Sequence, residues 1–212
     1  MNVIALDTAS PLPAIVLLAE GEVLEERLAS DRRASEDLLP LLERCLSAAR
    51  LKLEDLDRIA VCSGPGSFTG ARIGLASAWG LGRALGTPVE AVSTLEAMAE
   101  AARESGAAGE MTAALDAGRG QIVLAPFSLQ QARARPLAEP SRVERDEALR
   151  LAAAGALFCL PPDLLAGGRA LALSPARALA LAAARAPRDP TPVPPRAVYS
   201  RPSAAEEKRG AS

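Results

Sequence analysis

Residues 58–74 read RIAVCSGPGSFTGARIG and carry the densest pattern in the chain. The apolar run over 58–63 predicts a strand, residues 64–70 a glycine-rich turn, and residues 71–85 a helix. Glycines allow close backbone approach, and the turn leads into a helix N-terminus whose free N–H groups attract anions. No Gly-Lys-Ser/Thr follows, so this is not a Walker A loop. Two interpretations stay open, a turn whose glycines serve packing and a vestigial phosphate site formed by Gly64, Gly66, Ser67, Thr69 and Gly70.

Two helical patterns flank this turn and carry the candidate contact surfaces. Apolar residues at spacings of three and four precede it, namely Leu38, Leu41, Leu42 and Cys45. Small residues recur every four positions after it, namely Gly70, Gly74, Ala78 and Gly82. An interior glycine costs a helix about 1 kcal/mol against alanine, a loss that close approach of another backbone offsets. The protein's own sheet or another subunit could supply that backbone. We favour another subunit, because Trp79, the only tryptophan, lies on the same helix as an anchor.

Three charged residues are candidates for a polar site. Arg72 falls in the first turn of the predicted helix, where a cation opposes the helix dipole by roughly 0.3–1 kcal/mol. Its position is explained by a bound anion, by a carboxylate such as Asp7, or by a side chain turned into solvent. We also count Arg72 among the residues of the predicted subunit contact. Asp7, followed by Thr8, ends the first predicted strand, and Asp116 ends a similar strand in the second half. The two turns would face each other across a nucleotide cleft, although an Asp after a strand is more often a turn former.

The order of predicted elements repeats along the chain. Residues 3–104 read as strand, hairpin partner, strand, helix, strand, helix, strand, helix, and a similar order begins again at residue 111. We therefore predict a duplicated α/β fold with an N-terminal subdomain at 1–106 and a reduced C-terminal subdomain at 107–186. Prolines dominate the residues after these, so 187–212 is predicted to be a proline-rich segment and tail.

Composition excludes several function classes. The chain has 212 residues, no histidine and a net charge of −2. Without histidine it cannot form a Ser-His-Asp triad, a Cys-His pair or a His-ligated metal site. The charge argues against nucleic-acid binding by this chain alone. Three widely spaced cysteines and the lack of a long apolar run favour a cytoplasmic protein without a membrane segment or a disulfide framework.

Several motifs together resemble one known family, that of TsaB, also called YeaZ. The resemblance rests on the opening IALDTA at 4–9, the loop GPGSFTG at 64–70 with Arg72, and VSTL at 92–95. Looser matches are LDA at 115–117 and Val198-Tyr199 with Arg201. The resemblance implies a duplicated actin-like, Hsp70-like, sugar-kinase-like (ASKHA) fold with two mixed-sheet subdomains.

The resemblance also implies a function. Members of this family take part in forming N6-threonylcarbamoyladenosine beside the tRNA anticodon in bacteria, as non-catalytic partners of the paralogue TsaD. The ATPase TsaE joins that complex, and the family's dimer contact uses the first two helices. We therefore predict a pseudoenzyme subunit that binds TsaD, forms a homodimer when TsaD is missing, and meets tRNA only through the complex. It would need no cofactor, with any ATP or ADP held weakly or at the subunit interface.

An enzyme remains the alternative. A small-molecule kinase or ATPase of the same fold would hold Mg²⁺ through water on Asp7 or Asp116. The loop from Gly64 to Gly70 would then lie near the phosphates. Binding and turnover of ATP with Mg²⁺ would distinguish a kinase or ATPase from a non-catalytic interaction protein.

Overall fold

The first half of the chain forms a five-stranded sheet in the order β3-β2-β1-β4-β5. The computed structural model describes residues 1–28, 34–151 and 156–185. The strands of this first sheet are β1 Val3–Asp7, β2 Ala14–Ala19, β3 Glu22–Arg27, β4 Arg58–Cys62 and β5 Val89–Val92. β1 pairs antiparallel with β2 and parallel with β4, and β4 pairs parallel with β5. The parallel pairs require crossover connections, which the helices between these strands supply.

Two helices, α1 Ala34–Ala48 and α2 Phe68–Leu85, cover one face of the first sheet. Side chains alternate along a strand, so Ile4 and Leu6 of β1 both point to this face. There they pack with Leu42 of α1 and Leu75 of α2 in one buried cluster. The apolar periodicity of both helices therefore faces the sheet.

Helix α2 begins at Phe68, earlier than the predicted start at residue 71. The cause is local, because the Ser67 hydroxyl accepts a hydrogen bond from the Gly70 N–H at 3.1 Å and so caps the helix. The helix ends at Leu85, as the sequence predicted, and is followed by Gly86, which has a left-handed φ of 69°.

The second half repeats this plan in shorter form. Its strands are β6 Gly109–Gly118, β7 Gln121–Leu129, β8 Ala134–Pro136, β9 Ser141–Glu144 and β10 Ala156–Leu160. β6 pairs antiparallel with β7 and parallel with β10, as β1 does with β2 and β4. β8 and β9 pair with successive parts of β7, and helix α4 Arg145–Leu151 precedes β10. The predicted duplicated α/β fold with two mixed sheets is confirmed, whereas the sequence analysis missed β9.

The two halves exchange helices. Helix α3 Thr94–Glu104 packs on the second sheet, and α5 Pro175–Arg185 packs on the first sheet against β1, β2 and β4. The two helices also pack along each other. Arg185 pairs with Glu104 between them, with 2.6 Å from Nη2 to Oε1. The predicted boundary between the subdomains at 106/107 stays a prediction. Helices α3 and α5 each pack on the sheet that lies on the other side of that boundary in the sequence. The proline-rich segment 187–212, with the Val198-Tyr199 motif, lies outside the described residues.

Candidate functional site

Asp7 lies at the end of β1 and is completely buried. Its Oδ1 accepts hydrogen bonds from the backbone N–H groups of Ala9 at 3.0 Å and Ser10 at 2.9 Å, so it shapes the β1–β2 turn. Its Oδ2 is buried without a hydrogen-bond partner in the part of the chain that the structure describes. Burial raises the pKa of Asp7, and the hydrogen bonds from Ser10 and Ala9 oppose that rise. The carboxyl group is thus a turn former with one oxygen left over.

A cysteine lies beside this carboxyl group. Cys62 ends β4, the neighbouring strand, and is also fully buried. Burial, and after it the charge of Asp7, raise the pKa of the Cys62 thiol well above its usual value. A buried thiol of raised pKa is a poor nucleophile, so Cys62 is not a reactive group at this site. The sequence analysis did not single out this neighbour, since only strand pairing brings the two residues together.

The glycine-rich loop is closed on the β1–β2 turn. The Ser67 N–H donates to the Ala9 carbonyl at 2.7 Å, and the Thr8 hydroxyl donates to the Gly70 carbonyl at 2.6 Å. A Cβ atom added at Gly66 would lie 2.1 Å from the Ala9 oxygen, and one at Gly70 would lie 1.8 Å from the Thr8 oxygen. These two glycines are therefore required for close packing of the chain against itself.

The start of the loop is fixed in the same way. Gly64, with a φ of 95°, accepts a hydrogen bond from the Thr94 N–H at 2.7 Å, where α3 begins. Ser67 and Thr69 are exposed, and the Ser67 hydroxyl is engaged in the cap. The structure thus brings most of the predicted phosphate residues together with Thr8, in an arrangement that the packing interpretation explains.

Arg72 is exposed, and its guanidinium carbon lies 3.8 Å from the centre of the Phe68 ring. This is a cation–π contact within one turn of α2. Asp7, completely buried, is not its partner, which corrects that interpretation. The sequence analysis missed the role of Phe68, although the spacing of four residues on a helix is a usable signal for such a pair.

Asp116 ends β6 as Asp7 ends β1, but its surroundings differ. It is exposed, and its Oδ1 accepts a hydrogen bond from the Gly118 N–H at 2.7 Å. The pairing of β6 and β7 shifts register between these two residues. Among the described residues, no hydrogen bond or ion pair connects Asp116 with Asp7 or the glycine-rich loop. The second turn therefore offers an accessible carboxylate and the first turn does not.

The predicted contact residues of α1 lie in the protein's own core. The side chains of this face are 1–7% exposed, namely Leu38, Leu41, Leu42 and Cys45. They pack on the first sheet, because an amphipathic helix buries its apolar stripe against the nearest apolar surface. The prediction that this face meets another subunit is therefore wrong.

The small-residue stripe of α2 is a second correction. A Cβ atom at Gly74 would lie 2.5 Å from the Thr8 hydroxyl oxygen, and one at Gly82 would lie 2.3 Å from Val89 Cγ2. Ala78, between them, is completely buried. The close backbone approach that the glycines permit is thus made to the first sheet.

The exposed surface of the two helices lies on their opposite side. We use the name α1–α2 outer face for six exposed residues of this surface, Leu39, Pro40, Glu43, Arg72, Ala76 and Gly80, together with half-buried Ile73. Leu39 is 51% exposed, so this surface includes a large apolar side chain that the core of this chain does not cover. Trp79 is half-buried beside a shallow pocket at the end of α2.

Two kinds of feature are absent from the described residues, a metal-binding cluster and a membrane-spanning helix. No group of three or more His, Cys, Asp or Glu residues there could hold a metal ion. No helix in the described ranges is both long and apolar enough to cross a membrane.

Two mixed sheets built on the same plan, with a helix exchanged between the halves, define the actin-like (ASKHA) class of α/β proteins. The family model for "TsaD: tRNA N6-adenosine threonylcarbamoyltransferase" matches residues 22–166. A solved structure, YeaZ from Pseudomonas aeruginosa, is 29% identical with a TM-score of 0.71, over 86% of this chain and 90% of that one. The chain belongs to this family, among the proteins called TsaB or YeaZ.

Curated relatives carry the TsaB name. The tRNA threonylcarbamoyladenosine biosynthesis protein TsaB of Escherichia coli K12 is 34% identical over 127 residues, which cover 60% of this chain and 55% of the relative. The protein of the same name from Bacillus subtilis 168 is 35% identical over 123 residues, covering 58% and 53%. The chain thus spans about half the length of the curated relatives it matches. The resemblance noted on the motifs is confirmed.

Proposed function

We propose that this chain is a non-catalytic subunit of the bacterial complex that forms N6-threonylcarbamoyladenosine in tRNA next to the anticodon. Its task there would be to bind and support the catalytic paralogue TsaD. Support for the pathway comes from relatives named as tRNA threonylcarbamoyladenosine biosynthesis proteins. TsaE and tRNA would be met only within the complex, since a net charge of −2 gives the isolated chain little attraction for phosphates.

The closed glycine-rich loop is the observation that carries the non-catalytic role. In a working phosphate site the backbone N–H groups of such a loop are free to meet an anion. Here the Ser67 N–H is bonded to Ala9, the Gly70 N–H is bonded to Ser67, and Gly70 is pressed against Thr8. The absence of histidine from the sequence removes the most common general base.

The α1–α2 outer face is the surface we propose for TsaD. It lies on two adjacent helices of one sheet face and combines exposed Leu39 with the small side chains of Ala76 and Gly80. Small residues on a helix surface let a partner helix approach closely, and exposed apolar area supplies the driving force for association. When TsaD is missing, the same face would hold two copies of this chain together.

Co-purification with TsaD from the same organism tests this surface. Ala76 is an exposed residue of the α1–α2 outer face, so Ala76→Arg adds a long cation there without entering the core. It should abolish capture of TsaD and shift the isolated chain from dimer to monomer. Ala138→Arg is the matched control, because it introduces the same side chain at an exposed position of the second half. Equal capture by the two variants, or no capture by the unmodified chain, would count against the proposal.

An activity measurement tests the supporting role. TsaD supplied with its substrates should form the modified nucleoside only when this chain is present, and mass spectrometry of digested tRNA detects the product. Formation by TsaD alone at the same rate would rule out a required subunit. tRNA should bind the complex in a salt-dependent way and should not bind the isolated chain at physiological salt.

One observation favours the alternative of a small-molecule kinase or ATPase. The exposed carboxylate of Asp116 could take Mg²⁺ through water, and the buried, unpartnered Oδ2 of Asp7 could do so if the β1–β2 turn opened. Phosphate release from ATP by the isolated chain, abolished by Asp7→Asn, would support this enzyme and overturn the pseudoenzyme. No release under the same conditions leaves the interaction protein.

A further inference from the structure

A pocket of about 170 Å³ lies at the C-terminal end of α2. It is lined by Trp79, Gly82, Arg83, Gly86, Thr87, Pro88 and Val89. β1, β4 and β5 run parallel, so Val89 at the start of β5 lies at the opposite edge of the first sheet from Asp7 at the end of β1. The pocket is therefore separate from the turn and loop described above.

The size and the walls of the pocket suit a small flat ligand. The pocket is open to solvent, and its volume of about 170 Å³ is similar to the roughly 150 Å³ with which a closed apolar cavity holds a benzene-sized ring. Trp79 supplies an aromatic surface on one side, and Pro88 and Val89 supply aliphatic ones. Gly86 leaves open space, since a Cβ atom there would meet nothing within 4 Å.

Most polar groups of the pocket are already used by the protein. The Thr87 hydroxyl donates to the Leu56 carbonyl at 3.3 Å, and the Thr87 N–H donates to the Gly82 carbonyl at 3.0 Å. The Pro88 carbonyl accepts from the Ile59 N–H at 3.0 Å. These bonds leave few backbone groups for a ligand.

Arg83 is the charged residue of the pocket. It is exposed, and in the described ranges it has no ion pair or side-chain hydrogen bond. The lining contains no acidic residue, and Glu90, which follows Val89, has its carboxylate 3.6 Å from Arg58. The helix dipole places about half a negative charge at the C-terminal end of α2, and Arg83 carries a full positive charge, so the sum of the two charges at the pocket is positive. An anion is therefore favoured over a cation.

We propose that this pocket binds a small organic monocarboxylate, with its flat apolar body against Trp79 and its carboxylate on the guanidinium of Arg83. A guanidinium binds a carboxylate through two parallel hydrogen bonds, which fixes the orientation of the ligand. The apolar body displaces water from Trp79, Pro88 and Val89. A shallow site of this size should bind with a Kd of about 1 mM.

Titration of the full chain with benzoate, phenylacetate and isovalerate tests the proposal. Trp79 is the sole tryptophan, so its fluorescence reports binding directly, and saturation-transfer NMR observes the ligand independently. At least one of the three should bind with a saturable response, and the neutral isostere benzamide should bind about tenfold more weakly than benzoate. No saturation by any of the three up to about 10 mM would overturn the proposal.

Two variants locate the binding energy. Arg83→Gln should weaken the best carboxylate about tenfold or more and remove the preference over benzamide, because the charge-assisted pair is lost. Arg150→Gln is the control, since Arg150 is an exposed helical arginine in the second half. Equal affinity of Arg83→Gln and the unmodified chain, or an equal loss in both variants, would show that the pocket does not select the carboxylate.

Discussion

Replacement of Gly70 by alanine is the sharpest test of how the glycine-rich loop works. An added Cβ would lie 1.8 Å from the Thr8 carbonyl oxygen and 2.8 Å from the Thr8 carbonyl carbon. Both atoms belong to the backbone of the β1–β2 turn, so no side-chain rotation relieves the overlap. The start of α2 must move by more than an ångström, which also breaks the 2.6 Å hydrogen bond from the Thr8 hydroxyl to the Gly70 carbonyl.

The expected cost follows from these contacts. Forced overpacking costs about 1–3 kcal/mol, and loss of the hydrogen bond adds roughly 1 kcal/mol. Alanine returns up to about 1 kcal/mol of helix propensity. We expect Gly70→Ala to lower the free energy of unfolding by about 1–4 kcal/mol. In a chain of this length that corresponds to a fall in Tm of roughly 2–16 °C.

Gly80→Ala on the same helix is the matched control. Gly80 is exposed, and a Cβ atom there would meet nothing within 4 Å, so only the propensity term remains and stability should rise by about 1 kcal/mol. Urea unfolding followed by circular dichroism measures both variants under the same conditions. A neutral Gly70→Ala, or shifts of the same sign in both, would refute the conclusion that the loop is closed by packing.

Three further predictions concern buried polar groups. Burial raises the pKa of Asp7, so the ionised carboxylate lowers the free energy of unfolding at pH 7. Asp7→Asn should therefore unfold at an equal or higher urea concentration than the unmodified chain at that pH. This difference in stability should shrink as the pH falls through the Asp7 pKa towards 3.8, because the carboxyl group of the unmodified chain becomes protonated. Burial raises the pKa of Cys45 to about 11, so the protonated thiol contributes stability that is fully present below pH 9. Between pH 9 and about 11 this contribution is lost at about 1.4 kcal/mol per pH unit. The free energy of unfolding of Cys45→Ala should depend on pH less steeply by that amount over the same range. Arg58→Met should lower the free energy of unfolding in urea by about 2–3 kcal/mol, because Arg58 is buried and donates to the Ala183 carbonyl. Glu90 is the half-exposed ion-pair partner of Arg58, so Glu90→Gln should lower it by under about 1 kcal/mol.

Much of the fold could be predicted from the sequence, because its signals are local. The first strand, which ends in Asp7, and the periodicity of Leu38 to Cys45 each reflect a preference that neighbouring residues decide. Gly86 ends α2 as expected, since a left-handed φ at a helix end favours glycine. β9 was missed because Ser141–Glu144 lacks alternation, and its pairing with the first half of β7 is a tertiary contact.

The candidate site was predictable in composition but not in arrangement. The motif at 63–74 drew attention to the loop, yet the spacing of its glycines left two interpretations open, a packing turn and a phosphate site. The choice depends on Thr8 and Ala9, which are more than fifty residues away in the chain and meet the loop only because β1 and β4 are adjacent parallel strands. No local pattern contains that information.

The sequence by itself determined most of the elements, their repeated order and the absence of histidine chemistry, because these depend on residue identity and short-range periodicity. Only the tertiary structure decided which side of α1 and α2 is free. Both helices have an apolar or small stripe that could serve a partner or a core, and the first sheet takes that stripe because it is covalently connected to them. Within one chain the effective concentration of the sheet near these helices is higher than the concentration of a separate partner in solution. The stripe therefore packs on the sheet, and the α1–α2 outer face is the side of the helices that is left exposed.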